Sequence, residues 1–141
     1  MLDGGDTWQG SGLSLLENGK DMVEASNILG VDVMTGHWEF TYGEKIFLDN
    51  LRNFNGDFVA QNISLTEEAI FDGMEPIDES NHFQKPYVIK KINNLRVAVI
   101  GQAFPYTPIA NPKRFVPNLT FGIRDAELQG LIDKIKQNDN P

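Results

Sequence analysis

Two short segments of this chain carry the residue types of hydrolytic metal chemistry. Asp6 lies in Gly4-Gly5-Asp6-Thr7-Trp8-Gln9-Gly10, and His37 lies in Thr35-Gly36-His37-Trp38-Glu39-Phe40-Thr41-Tyr42-Gly43. His37 follows the apolar run Val31-Asp32-Val33-Met34, which predicts a short buried strand ending at the histidine corner. A carboxylate and an imidazole at two strand ends on one rim of a sheet are donor types that a divalent metal accepts. Plainer readings stand beside this one. An aspartate after two glycines also caps a helix or shapes a turn. A lone histidine is more often structural than catalytic, and His82, in the polar stretch between Asn81 and Phe83, is expected at the surface.

The elements that must position these corners follow from periodicity. Leu15, Met22, Ala25 and Leu29, with Val23 and Ile28, recur at near-helical spacing, and Gly30 suits the helix end. Ile46, Phe47, Leu48 and Leu51 predict a second helix over 43–53, and Asn55-Gly56 a turn. Residues 58–63 read as a third, buried strand. Strand and helix alternate, which predicts parallel pairing. Tyr87 to Ile92 and Leu95 to Gly101 flank Asn93-Asn94 and predict a β-hairpin, its second strand buried on both faces. Pro105, Pro108, Pro112 and Pro117 argue against helix over 102–121 and for a stiff excursion. A loop of that length is uncommon unless it has a function. Leu128, Leu131, Ile132 and Ile135 form the stripe of an amphipathic helix.

Composition excludes several classes. With 141 residues and 40% hydrophobic content, the chain can bury a core. A net charge of −8 with no basic run argues against nucleic-acid partners. There is no cysteine, hence neither disulfide framework nor thiol chemistry. No apolar run approaches the roughly 18 residues of a membrane span. The expected organisation is a single incomplete α/β domain over 1–141. Only three residues precede the Gly4-Gly5-Asp6 corner, and no strand follows the last helix.

The two corners resemble those of the dinuclear metallophosphoesterases of the 5′-nucleotidase type, which carry a Gly-Asp loop and later a Gly-Asn-His-Glu loop. Three segments resemble the SoxB branch, the thiosulfohydrolases of bacterial sulfur oxidation: Gly4 to Gly12, Asp32 to Phe40, and Gly101-Gln102-Ala103-Phe104-Pro105-Tyr106-Thr107-Pro108. The tryptophan after His37 and the Gln-Ala-Phe-Pro-Tyr run are the features specific to that branch.

The resemblance implies a partial four-layer αββα metallophosphoesterase-like sandwich, truncated at both ends. It implies that Asp6 bridges two metal ions, identified by resemblance as manganese. His37 would then stand beside the metals without ligating them and stabilise charge on the reacting group. Gly36 is read as a departure, standing where the wider group has a ligating asparagine. Trp38, Glu39 and Tyr42 are candidates for a substrate wall or for packing, and Trp8 and Gln9 are open between the same two roles. The implied activity releases sulfate from a cysteine-bound thiosulfonate on a sulfur-carrier protein, in the periplasm. The alternative is a 5′-nucleotidase-like phosphoester hydrolase, and a third possibility is a binding module that kept the fold without the metals. The remaining metal ligands are expected outside these 141 residues.

Overall fold

The computed structural model describes all 141 residues. Its centre is a parallel three-stranded sheet in the order β1 (Leu2–Asp3), β2 (Val33–Met34) and β3 (Asp57–Phe58). Leu2 pairs with Val33, and Met34 with Phe58. Further backbone bonds extend the ladder at both ends, from Asp32 N to Met1 O (2.9 Å) and from Val59 N to Met34 O (2.9 Å). All three strands leave the sheet at the same edge, so the segments after Asp3, Met34 and Phe58 form one rim.

Helices fill the connections. α1 (Gly12–Glu17) and α2 (Lys20–Leu29) replace the single helix predicted from Leu15 to Leu29. Asn18 and Gly19, both at positive φ, break the path between them. The break turns Leu15 outward, and α2 buries Val23 and Ser26 while Ile28 is 86% exposed. Gly30 ends α2 as expected. α3 (Glu44–Asn53) buries Phe47 and Asn50, and Asn50 Nδ2 donates to Asn18 O at 2.8 Å, fixing α3 to the break.

The predicted third strand is shorter than expected. After β3 the chain turns at Gln61 and Asn62 and enters β4 (Ser64–Leu65), which pairs antiparallel with β7 (Leu119–Thr120). Asn62 is buried and holds that turn by side-chain bonds to the backbone of Ala103 and Gly122. α4 (Glu67–Phe71) follows, with Thr66 as its cap.

The hairpin forms as predicted, β5 (Tyr87–Ile92) with β6 (Leu95–Ile100), and both turn asparagines are at positive φ, which matches the hairpin's twist. Burial of β6 on both faces does not occur. Leu95 is 69% exposed, because the outer half of the hairpin projects beyond the sheet. The proline-rich stretch, where no helix was expected, holds two short helical turns, α5 (Thr107–Ala110) and a 3-10 turn at Lys113–Phe115, with Pro108 in the first turn of α5, where the missing N–H costs nothing. α6 (Asp125–Asn138) buries Ile135 and half-buries Leu128, Leu131 and Ile132.

The core is aromatic. Phe47 lies 4.4 Å from Phe40, 5.1 Å from Phe58 and 6.2 Å from Trp8, centroid to centroid. Trp8 is 0% exposed and its indole N–H donates to Ser26 Oγ, so it is a packing residue and not a cleft wall. Truncating such a ring removes about 3–5 kcal/mol of stability.

Candidate functional site at the sheet rim

The Asp6 and His37 corners meet on the rim. A side-chain carbon placed on Gly5 would lie 2.8 Å from His37 N and 2.9 Å from Thr35 O, so the two loops run in direct contact. Only glycine permits that approach, and the φ of +86° at Gly5 adds a second reason. Asp6 follows at φ 66° with its side chain exposed, and Gln9 Nε2 donates to Asp6 Oδ1. Gln9 thus touches the candidate metal-facing carboxylate.

Glu39 locks the corners together. Its side chain is fully buried. Oε1 accepts from Thr7 N at 2.7 Å and from Trp8 N at 3.3 Å, and Oε2 accepts from His37 N at 2.7 Å. One carboxylate therefore satisfies three backbone donors from two loops. Its role is a brace, not a contact to substrate. Asp3 reinforces the first loop, accepting from Gly5 N at 2.9 Å and from Thr7 Oγ1 at 2.8 Å. The Tyr42 hydroxyl donates to Trp8 O at 3.0 Å, so Tyr42 is also a brace. Burial, together with the charges of Asp21 and Glu39, raises its phenol above the ordinary value.

Gly36 takes a different meaning from the one the motif suggests. A side-chain carbon there would lie 2.6 Å from the Phe40 ring and 3.1 Å from Phe58. Position 36 faces the packed core, so an asparagine at Gly36 could not reach the rim. The side chain that this corner does offer comes from His37. His37 is half-buried and its Nδ1 is buried with no hydrogen-bond partner; the neighbouring Thr35 Oγ1 is in the same condition. A buried polar atom without a partner is costly. A cation or a polar substrate atom would satisfy it.

A third loop completes the rim. Phe104 N donates to Gly36 O at 3.0 Å, and the Phe104 ring stacks on the His37 imidazole at 4.4 Å with an interplanar angle of 25°. Trp38 lies 6.1 Å from His37 and Tyr106 lies 5.9 Å from Phe104. The Gln102–Pro108 motif and the His37 motif, distant in sequence, are one cluster in space. Asn62 fastens the loop: its Oδ1 accepts from Ala103 N at 2.8 Å and its Nδ2 donates to Ala103 O at 2.9 Å. Periodicity gave no sign of these ties; a buried Glu or Asn beside aromatic residues is the signal that could have found them.

His82 is not at the surface. It is 8% exposed, with Nδ1 2.7 Å from Asp78 Oδ2 and Nε2 3.0 Å from Gln61 O. Burial raises the Asp78 carboxyl, but hydrogen bonds from His82 and Ser80 outweigh it and leave the group below its ordinary value. His82 lines a cleft of about 950 Å³ with Asp57, Lys85, Tyr87 and Arg124. That cleft contains neither Asp6 nor His37. Its polar groups pair with one another, Asp57 with Lys85 at 3.1 Å and with Lys90 at 2.9 Å. The rim, where donors stand unpaired, is the better candidate for chemistry.

Asp6 and His37 suit a divalent cation such as manganese. No group of three or more His, Cys, Asp or Glu side chains stands together to complete a site. The residues present fit as part of a metal centre and not as a whole one.

No family model matches the chain. The sulfate thiohydrolase SoxB of Thermus thermophilus, solved in complex with glycerol, superposes with a TM-score of 0.83 at 34% identity, over 96% of this chain and 23% of that one. A putative 5′-nucleotidase from Staphylococcus aureus shares the fold at a TM-score of 0.78 and 22% identity, over 96% of this chain and 26% of that one. The 5′-nucleotidase of Rattus norvegicus is 28% identical over 139 residues, 96% of this chain and 22% of that protein. No helix is long and apolar enough to cross a membrane. In sequence and in fold the chain resembles the SoxB and 5′-nucleotidase group of hydrolases, spanning about a quarter of the length of the relatives it matches.

Proposed function

We propose that the chain forms part of a metal-dependent thiosulfohydrolase of the SoxB kind, acting on a cysteine-bound thiosulfonate on a sulfur-carrier protein in the periplasm. The carrying observation is the union of the Asp6, His37 and Phe104 loops on one rim. The two motifs particular to the SoxB branch are the ones that touch, through Phe104 and His37. In the reaction, a water oxygen bonds to the terminal sulfonate sulfur and the sulfur–sulfur bond breaks. Sulfate leaves, and the carrier keeps its sulfane sulfur as a persulfide.

Asp6 is assigned to hold metal and His37 to face the reacting sulfonate. Two manganese ions, when bound, supply Lewis acidity and screen the anionic sulfonate. The chain's own residues fix the site: Glu39 and Gly5 set the spacing of the loops, and Trp38 and Phe104 flank the imidazole with apolar rings. The unpartnered Nδ1 also favours a second assignment, in which His37 itself ligates a metal. Metal analysis of Asp6→Ala and His37→Ala in the full-length protein separates the two. Loss in the first alone supports the first assignment, and equal loss makes His37 a ligand.

A phosphoester hydrolase of the 5′-nucleotidase kind is the competing reading, favoured by the likeness to the rat protein. Turnover of a carrier thiosulfonate against a nucleoside monophosphate by the full-length protein, with manganese present, is the deciding test. Sulfate release without phosphate release is the expected result, and the reverse result would overturn the thiosulfohydrolase assignment.

A further inference from the structure

We infer that Phe104 is a positioning residue for His37, orienting the imidazole by its ring face where no hydrogen bond to Nδ1 does so. A histidine used in chemistry ordinarily has its ring fixed by a bond to one nitrogen, which also sets the tautomer. His37 Nδ1 has no such partner. What the ring has instead is a face: Phe104 at 4.4 Å and 25°. Stacking fixes the plane of the imidazole and leaves the hydrogen-bonding capacity of Nδ1 unused. This arrangement suits a nitrogen reserved for a ligand or substrate atom.

The backbone under Phe104 is held independently of its ring. Phe104 N bonds to Gly36 O, and both backbone groups of Ala103 bond to Asn62. Phe104 O accepts from Thr107 Oγ1 at 2.8 Å. The loop therefore needs no phenyl group to keep its path, and a change of side chain acts on the stack. The aromatic residue in the Gln102–Pro108 run thereby has a task that the motif alone did not assign. The inference rests on the proposed reading only for the place of His37 in the chemistry.

The test uses Phe104→Leu, which keeps apolar bulk without a ring face, and Phe104→Tyr, which keeps the face. Diethyl pyrocarbonate modification is followed separately at His37 and His82 by mass spectrometry of peptides. His82, buried with both nitrogens engaged, is the internal control. Loss of a stacking contact is expected to speed modification of His37 about three- to tenfold in Phe104→Leu, with His82 unchanged and Phe104→Tyr close to wild type. An unchanged His37 rate in Phe104→Leu overturns the inference. So does equal acceleration at both histidines, which reports general loosening, or failure of Phe104→Tyr to restore the rate. No metal or substrate enters this assay. Absence of turnover by the full-length protein would count against the proposed function, whereas the modification rates decide the role of Phe104 separately.

Discussion

The chain has two histidines, and the structure treats them in opposite ways. His82 sits in a loop of polar sequence yet is buried, its two ring nitrogens placed against Asp78 and Gln61. His37 sits in a motif rich in aromatics, half-buried on the rim, with a nitrogen that has no partner. The first holds a fold together, and the second is held ready. What separates them is the satisfaction of their polar atoms, because a fully bonded imidazole has no capacity left to offer a ligand.

The brace behind His37 tests this contrast most severely. Glu39→Ala would strip three backbone N–H groups, one buried and two part-buried, of their acceptor at once. The expected loss is about 3–5 kcal/mol, since three backbone donors lose their acceptor together. Denaturant unfolding measures it. A loss under about 1 kcal/mol would mean that water replaces the carboxylate and that the corners are not clamped.

The two histidines should then diverge in stability. His82→Ala removes both bonds and leaves Asp78 and Gln61 O without that partner, an expected cost of about 2–3 kcal/mol. His37→Ala gives up a stack but removes an unpaired buried atom, for an expected cost under about 1.5 kcal/mol. Equal costs would erase the distinction. Metal content separates the rim residues in turn. In the full-length protein, Asp6→Ala is expected to abolish manganese retention and His37→Ala to spare most of it, read by elemental analysis.

Much of this frame was legible in the sequence, and the reasons are physical. Parallel pairing followed from the alternation of strand and helix, and the hairpin from Asn93-Asn94, since both are local patterns. The rim corners were legible from Gly5 and Gly36, although packing against Phe40 reassigns the meaning of Gly36. Burial of His82 was not legible, because its partners include the carbonyl of Gln61, far away in sequence. The outward turn of Leu15 was hidden for a related reason. Periodicity continues through Asn18-Gly19, while the backbone breaks there at positive φ. The stack of Phe104 on His37 joins residues that no local pattern connects.

The smallest expected effect lies in the cleft beside His82 and is read through pH. A side-chain hydrogen bond from Lys90 holds the Asp57 carboxyl below its ordinary value, against the opposing pull of burial, with Lys85 adding to the lowering. Asp57 bonds Lys85 at 3.1 Å and Lys90 at 2.9 Å, which ties the strand β3 to the hairpin. A carboxyl whose folded pKa is depressed contributes stability above its unfolded value, near the ordinary aspartate range. That contribution fades as pH falls through the folded value. Asp57→Asn should therefore lower stability at pH 7 and flatten the decline on acidification, with the two proteins converging below the folded value. Both lysines are at least partly exposed and salt screens such pairs, so the difference at pH 7 should be small and should shrink at high ionic strength. Unfolding curves at several pH values, at low and at high salt, check all three features. A gap between the proteins that widens as the pH falls would show that Asp57 has another role, and the cleft could no longer be read as a purely structural counterpart to the rim.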